Sequence, residues 1–116
     1  MLDLAWRPRA HLDRESIAIY LGVECGNPQA ALRAMRSIDA VIERVRELPD
    51  SGGRFFSEGL DRREYRTALA NPYTVYYRYD NETLTVCRVL HQRQDIDDYT
   101  FIELGDYHQG PDGASE

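Results

Sequence analysis

The chain opens with a short alternation of hydrophobic and polar positions. Leu2, Leu4 and Trp6 alternate with Asp3, Ala5 and Arg7. A period of two with apolar side chains on one face is typical of a half-buried strand, so the pattern predicts a strand at the start of the chain.

A change to helical spacing follows. Pro8 stands where the first turn of a helix tolerates proline. The residues near one face of this first helix are Ala10, Asp13, Ile17, Tyr20 and Leu21. We expect the helix to end near Gly22, before the break at Gly26-Asn27-Pro28.

A second helix is predicted more strongly. Asn27 can cap it and Pro28 can fill its first turn. Apolar residues then recur at spacings of three and four: Ala31, Ala34, Met35, Ile38, Val41, Ile42, Val45 and Leu48. Pro49 ends the pattern. A stripe of this kind is usually core, and we interpret it so rather than as a partner-binding face.

After a loop over residues 49–53 the period returns to two. Three strands are predicted over residues 62–69, 73–79 and 83–91, with turns at Asn71-Pro72 and Asp80-Asn81. The last of them has apolar residues on both faces, which is typical of a central strand. Alternation places Leu84, Val86 and Leu90 on one face and Cys87 and Val89 on the other.

The predicted fold class is therefore α+β. An N-terminal strand precedes a two-helix hairpin and a three-stranded antiparallel meander, with the helices packed on one face of the sheet. A chain of 116 residues fits one domain, to which we assign residues 1–104. Residues 105–116 are expected to be an acidic, flexible tail. The segment just before it can pack on the body as a short strand or helix, through Tyr99, Phe101, Ile102 and Leu104.

Charge is distributed unevenly along the chain. The net charge is −6, yet residues 94–116 hold seven of the 20 acidic side chains and no basic one, so the body is close to neutral. Every basic residue is arginine, whose planar fork suits carboxylate and phosphate partners.

Several classes of function are disfavoured by composition. The chain has neither a long apolar run nor a signal-peptide pattern, so we expect a cytoplasmic protein without a membrane partner. Cys25 and Cys87 are predicted to be free thiols. The histidines and cysteines do not cluster with the spacing of metal ligands, and we expect neither a metal nor a cofactor.

A set of short motifs, in one order and spacing, resembles a known family. These are Trp6-x-Pro8, Asn27-Pro28-x-Ala30-Ala31, Leu48-Pro49, Gly53-Arg54, Arg63-Glu64, Tyr73-x-Val75-x-Tyr77-Arg78 and Arg88-Val89-Leu90-His91-Gln92-Arg93-Gln94-Asp95. Together they are similar to the ParE branch of the RelE/ParE toxins of type II toxin–antitoxin modules, over roughly residues 2–95.

The resemblance implies a toxin that arrests growth and takes part in plasmid stabilisation. It also implies a cognate antitoxin, of the ribbon-helix-helix ParD type, that neutralises the toxin in a hetero-oligomer. ParE-like toxins are known for poisoning DNA gyrase, whereas RelE-like toxins cleave messenger RNA on the ribosome. Since one fold can host both activities, the target must be argued from the site.

Metal-independent RNA cleavage needs a proton acceptor, a proton donor and cations that stabilise the phosphorane. RelE-like enzymes take their cations from the middle strands. Here the corresponding positions are Tyr65, Thr67 and Thr74, none of which is cationic. Arg93 and Tyr99 match the RelE pattern, and His91 can imitate the histidine of other nucleases in the superfamily. The endoribonuclease with these three residues is the alternative, and the vacant positions favour a gyrase inhibitor that is not an enzyme.

The candidate residues for contact with target or antitoxin are Arg63, Arg78, Arg88, His91 and Arg93. Structural roles stand beside this hypothesis: His91 can bond to a backbone carbonyl, and Arg78 and Arg88 can pair with Glu64 or Asp95. A third alternative is a degenerate member that binds an antitoxin but is not toxic, because acidic groups near a phosphate-binding face repel the substrate.

Overall fold

The computed structural model describes residues 1–103. Their helices and strands follow in the order β1 (Asp3–Trp6), α1 (Pro8–Ile19), α2 (Pro28–Glu47), β2 (Gly53–Phe56), β3 (Glu64–Ala70), β4 (Tyr73–Tyr79) and β5 (Thr83–His91). The predicted tail over residues 105–116, and Leu104 before it, lie outside the described residues.

The strands form one sheet in the order β1-β5-β4-β3-β2. β1 runs parallel to β5, and the other neighbours are antiparallel. The predicted α+β class, with both helices on one face, is confirmed. The antiparallel part has four strands rather than three, because β2 was not predicted. Its four residues begin with glycine and end with Phe55 and Phe56, so they show no alternation, and their pairing with β3 defines the strand.

The first helix does not end near Gly22, as its glycine suggested. A π-helical turn (Tyr20–Glu24) continues it, and Gly22 lies beside α2, where a Cβ would stand 3.5 Å from that of Ala31. The reversal comes at Gly26, whose φ of +62° is the left-handed conformation that glycine adopts readily.

α2 begins and packs as predicted. The Asn27 side chain accepts a hydrogen bond from the N–H of Ala30 at 3.0 Å, and Pro28 is the first helical residue. Its buried residues are Ile38, Val41, Ile42 and Val45. Leu48, which the periodicity placed in the same stripe, is 62% exposed, because the helix ends at Glu47 and Leu48 leaves the helical conformation.

An inserted residue in β5 exchanges the faces of its last residues. Tyr77 pairs with Val86 and Tyr76 with Arg88, so Cys87 is the extra residue of a β-bulge. Val89 therefore joins Leu84 and Val86 in the core under the helices, while Leu90 joins Cys87 on the outer face of the sheet. The simple alternation expected from the sequence placed Cys87 correctly and was wrong for Val89 and Leu90, which follow the bulge.

The outer face, opposite the helices, has a second small core. It contains Tyr65, Tyr76, Cys87, Leu90 and Phe101, with Phe55 beside it. Phe101 belongs to residues 97–103, here called the C-terminal strap, which crosses this face as a series of turns and not as a strand or helix. Within the strap, Phe101 is buried and Tyr99 is 64% exposed. None of the helices formed by residues 1–103 has the length and apolar composition needed to cross a lipid bilayer.

Candidate functional site

The candidate residues occupy two ends of the β4–β5 hairpin. His91 pairs with Tyr73 at one end, and Arg78 pairs with Thr85 near the other. Arg78 lies five positions after Tyr73 along β4, about 17 Å at the rise of a strand. His91 lies on the helix side with Tyr73, whereas Arg78 lies on the outer face with Tyr76. The structure therefore does not bring all five candidates into one site.

A groove opens between α1 and the end of β5, here called the α1–β5 groove. It encloses about 380 Å³ and is lined by Asp13, Ser16, Ile17, Tyr20, Tyr73, Val89, His91 and Gln94. At the end of α1 and in the π-helical turn after it, Ile19, Tyr20 and Val23 are exposed by 53%, 55% and 74%. A concave surface that combines apolar side chains with polar groups is typical of a site that binds a ligand or a peptide segment.

His91 is fixed at the strand end by its own turn. Its Nδ1 accepts a hydrogen bond from the backbone N–H of Arg93 at 3.0 Å, and its carbonyl accepts one from Gln94 at 2.9 Å. The ring meets Tyr73 edge-on, with centroids 5.6 Å apart. In this arrangement Nδ1 is unprotonated and the proton of neutral imidazole is on Nε2. Arg93 follows with an exposed side chain.

The two phenols of the groove remain neutral at physiological pH. A hydrogen bond with the Cys25 thiol, followed by charge on the same group, raises the pKa of Tyr20. Burial raises the pKa of Tyr73. Neither phenol therefore supplies a negative charge or a ready base, and both present hydrogen-bonding groups on an apolar surface.

Arg88 is a buried link rather than an exposed contact. Its Nε and Nη2 donate to the two carboxylate oxygens of Asp13 at 2.7 and 2.9 Å, and Nη1 donates to the carbonyl of Thr100 at 2.6 Å. The residue is 7% exposed. The expected pairing with Glu64 or Asp95 was wrong. Asp13 also accepts the N–H of Val89, at 2.9 Å.

Arg63, Arg78 and Tyr99 lie apart from the groove. Arg63 is half-buried just before β3, and its carbonyl accepts the N–H of Ser57 at 2.8 Å. Arg78 is exposed and lines a shallow recess of about 140 Å³ on the outer face, near Arg7. Tyr99 points its side chain to solvent from the strap.

The comparisons with known proteins identify the family. The sequence model described as the ParE toxin of the type II toxin–antitoxin system, parDE, matches residues 4–96. The chain belongs to the ParE toxin family. A solved structure titled "Chromosomal ParDE TA system from P. aeruginosa" has the same fold, with a TM-score of 0.61, 22% identity, and coverage of 78% of this chain and 96% of that one. The search of curated proteins found no match.

In this ParE toxin, one of the three positions that correspond to RelE cations, Tyr65, belongs to the small core of the outer face, whereas Thr67 and Thr74 are half-buried. Tyr65 is 1% exposed, and its ring stacks on Phe101 with centroids 4.5 Å apart. Its hydroxyl donates to Asp61 at 2.8 Å. Burial, and then the bond to Asp61, raise the pKa of Tyr65. The phenol is thus covered, neutral and already paired.

Some of these residues escaped sequence reasoning. Asp13 had a visible signal, since it is an acidic residue on the apolar face of a predicted helix, which indicates a buried partner. The apolar character of Phe101 predicted packing on the body but not its aromatic partners. Asp61, and Arg9, which donates to the carbonyls of Tyr99 and Ile102, had no comparable signal, because each acts through contacts that the fold alone creates. Residues 1–103 do not bring three His, Cys, Asp or Glu side chains together in a way that could hold a metal ion.

Proposed function

We propose that this toxin inhibits DNA gyrase by binding it, without catalysing a reaction, whenever its antitoxin does not neutralise it. The observation that carries the proposal is the outer face of β3 and β4. Of the three positions where a RelE-type nuclease needs cations, Thr67 and Thr74 carry no charge, and Tyr65 is buried beside Tyr76 against Phe101.

The chemistry of RNA cleavage argues in the same direction. A phosphorane accumulates negative charge that preorganised donors must stabilise, and losing one such donor typically costs about 2.7–4 kcal/mol of barrier. Tyr65 is buried and its proton is held by Asp61. An RNA strand would also have to displace Phe101 before it reached Tyr65. These features favour a toxin that acts by recognition.

The α1–β5 groove is the surface that we assign to the antitoxin. Ile17, Tyr73 and Val89 in the groove suit the aliphatic side chains of a partner segment. The exposed Ile19, Tyr20 and Val23 suit them as well. The exposed arginines Arg78 and Arg93 suit acidic groups of the same partner or of the target. We expect the antitoxin to be a ParD-like ribbon-helix-helix protein in a hetero-oligomer, and the module to act in the cytoplasm.

The test uses the purified full chain and gyrase in a supercoiling assay, with detection of the cleaved-DNA complex. We expect inhibition by the wild type, and a weaker effect for Arg78→Ala and Arg93→Ala. Arg36→Ala is the matched control, because Arg36 is an exposed arginine of α2. It lines neither the α1–β5 groove nor the recess beside Arg78. Supercoiling that is unaffected by wild-type toxin, with no cleaved-DNA complex, would overturn the proposal.

A messenger RNA endonuclease is the second candidate, and the turn at the end of β5 favours it. This turn places the backbone N–H of Arg93 against the His91 ring, so the two residues are neighbours at the end of β5. Tyr99 would assist. If this function holds, Arg93→Ala and His91→Ala abolish ribosome-dependent cleavage in a parallel assay. A degenerate, non-toxic member would instead bind antitoxin and leave growth and both assays unchanged.

A further inference from the structure

The C-terminal strap follows directly after the region that the family model covers, which ends at residue 96. It is nevertheless held on the rest of the domain by specific hydrogen bonds and aromatic contacts. Asp97 and Thr100 close its first turn: Asp97 Oδ1 accepts the N–H of Tyr99 at 2.9 Å and the Thr100 hydroxyl at 3.1 Å. The carbonyl of Asp98 accepts the N–H of Leu60 at 3.1 Å.

Phe101 is the apolar anchor of the strap. It is 4% exposed, and it contacts three aromatic rings of the outer face with centroid distances of 4.5 Å to Tyr65, 5.0 Å to Tyr76 and 5.7 Å to Phe55. Three rings from β2, β3 and β4 thus fix the position of one strap side chain.

Two arginines connect the seated strap to α1. Arg9, which is in α1, donates from Nη1 to the carbonyls of Tyr99 and Ile102 at 2.8 and 2.7 Å. Arg88 donates to the carbonyl of Thr100 with one nitrogen, while its other two nitrogens hold Asp13 of α1. The strap carbonyls therefore accept hydrogen bonds from both guanidinium groups.

α1 depends on such polar links because its apolar contribution is small. Of its 12 residues only Ala10 is buried, whereas α2 buries four residues. A helix that buries little apolar area gains little from the hydrophobic effect, so directional bonds set its position more than packing does. Asp13 joins one of these links and also lines the α1–β5 groove.

We propose that the C-terminal strap positions α1 against β5, so that Phe101, Arg9 and Arg88 are positioning residues for the α1–β5 groove. The strap acts on the groove from the opposite side of the sheet, through the guanidinium groups. When Phe101 loses its contacts with the outer face, Arg9 and Arg88 lose three backbone carbonyls as hydrogen-bond acceptors. The wall of the groove that α1 forms then becomes more mobile. The role of the groove in antitoxin binding rests on the proposed function, but its dependence on the strap does not.

The experiment compares amide hydrogen exchange in the full chain of wild type, Phe101→Ala, Arg9→Met and Tyr99→Ala. Phe101→Ala removes the ring contacts between the strap and the outer face. Arg9→Met removes the hydrogen bonds from Arg9 to the strap and leaves those ring contacts in place. We expect both to speed exchange of α1 amides by about tenfold or more, which corresponds to the net loss of one hydrogen bond. Exchange in the core of α2 should stay unchanged. Tyr99→Ala, whose side chain is exposed, should behave as wild type.

A readout on the groove itself separates positioning from general stability. The ring resonances of His91 and Tyr73 should shift in Phe101→Ala and Arg9→Met, move back in the conservative variant Phe101→Leu, and stay in place in Tyr99→Ala. Faster exchange confined to the strap, or spread evenly over α2 and β4, would overturn the proposal. If Phe101→Ala does not fold, Arg9→Met decides the question alone. No gyrase or antitoxin enters either measurement, so the outcome is independent of the target.

Discussion

Arg88 of β5 donates two hydrogen bonds, of 2.7 and 2.9 Å, to the carboxylate of Asp13 in α1, which lies 75 positions earlier in the sequence. The side chains are only 9% and 14% exposed. Removing one member of a buried ion pair leaves an uncompensated charge, so Asp13→Ala should lower the free energy of unfolding by about 3–5 kcal/mol. Urea unfolding followed by circular dichroism measures the loss.

The matched control for Asp13→Ala is Asp39→Ala. Asp39 pairs with Arg14 at 2.7 Å, but its side chain is 51% exposed and the pair is screened by solvent. We expect a loss of at most about 1 kcal/mol. Equal losses in the two variants would contradict the role assigned to burial.

Tyr65 offers a test of the proposed mode of action. Tyr65→Phe removes the hydroxyl that donates to Asp61 but keeps the ring against Phe101, and Asp61 still accepts the Ser57 hydroxyl at 2.6 Å. The expected loss of stability is about 0.5–1.5 kcal/mol, with growth arrest unchanged. Regulated expression in growing cells, beside an unfolding curve, checks both. A stable Tyr65→Phe protein that no longer arrests growth would favour chemistry at this hydroxyl.

Two glycines should respond to alanine with opposite signs. At Gly59 an added Cβ would stand 2.8 Å from the Asp98 carbonyl oxygen and 3.0 Å from its Cα, so Gly59→Ala should push the strap away and destabilise the protein. At Gly22 the added Cβ meets Ala31 at an ordinary 3.5 Å. Alanine favours the helix there by up to about 1 kcal/mol. Thermal unfolding of both variants gives the two signs, and destabilisation by Gly22→Ala would show that the π-helical turn requires glycine.

Asp97 makes the strap sensitive to strong acid. The N–H of Tyr99, and then the Thr100 hydroxyl, hold the pKa of Asp97 below its usual value of 3.8. A carboxylate whose pKa is lowered by folding stabilises the fold above the unfolded pKa, and this contribution disappears as the pH falls through the folded pKa.

Stability measured from about pH 5 to about pH 2 should therefore decline less steeply in Asp97→Ala than in wild type. Asp98→Ala is the control, since Asp98 holds the strap through its backbone carbonyl. If the stability of Asp97→Ala declines with falling pH as steeply as that of wild type, the turn does not depend on the carboxylate.

Sequence periodicity predicted those elements whose local pattern agrees with their final packing. The cap at Asn27, the α2 core and the bounds of β4 and β5 all followed from it. It failed where tertiary contacts decide. β2 has no alternation of its own, and the bulge at Cys87 shifts every later side chain of β5 by one place.

The candidate site shows the same division. The proximity of His91 and Arg93 follows from their spacing in the sequence and from the end of β5 at His91. The Asp13–Arg88 pair could not be predicted as a pair, because sequence separation hides which helix faces which strand. The aromatic partners of Phe101 were equally hidden, because they come from β2, β3 and β4, although its apolar character indicated some packing.

The parallel pairing of β1 with β5 also bears on when the protein can become active. Asp3 pairs with Thr83 and Trp6 with Val86, so β1 can pair only after β5 has been synthesised. During translation β1 lacks this strand partner, and α1 lacks Arg88, until that part of the chain has left the ribosome. The sheet and the α1–β5 groove can therefore be completed only late in the synthesis of this domain.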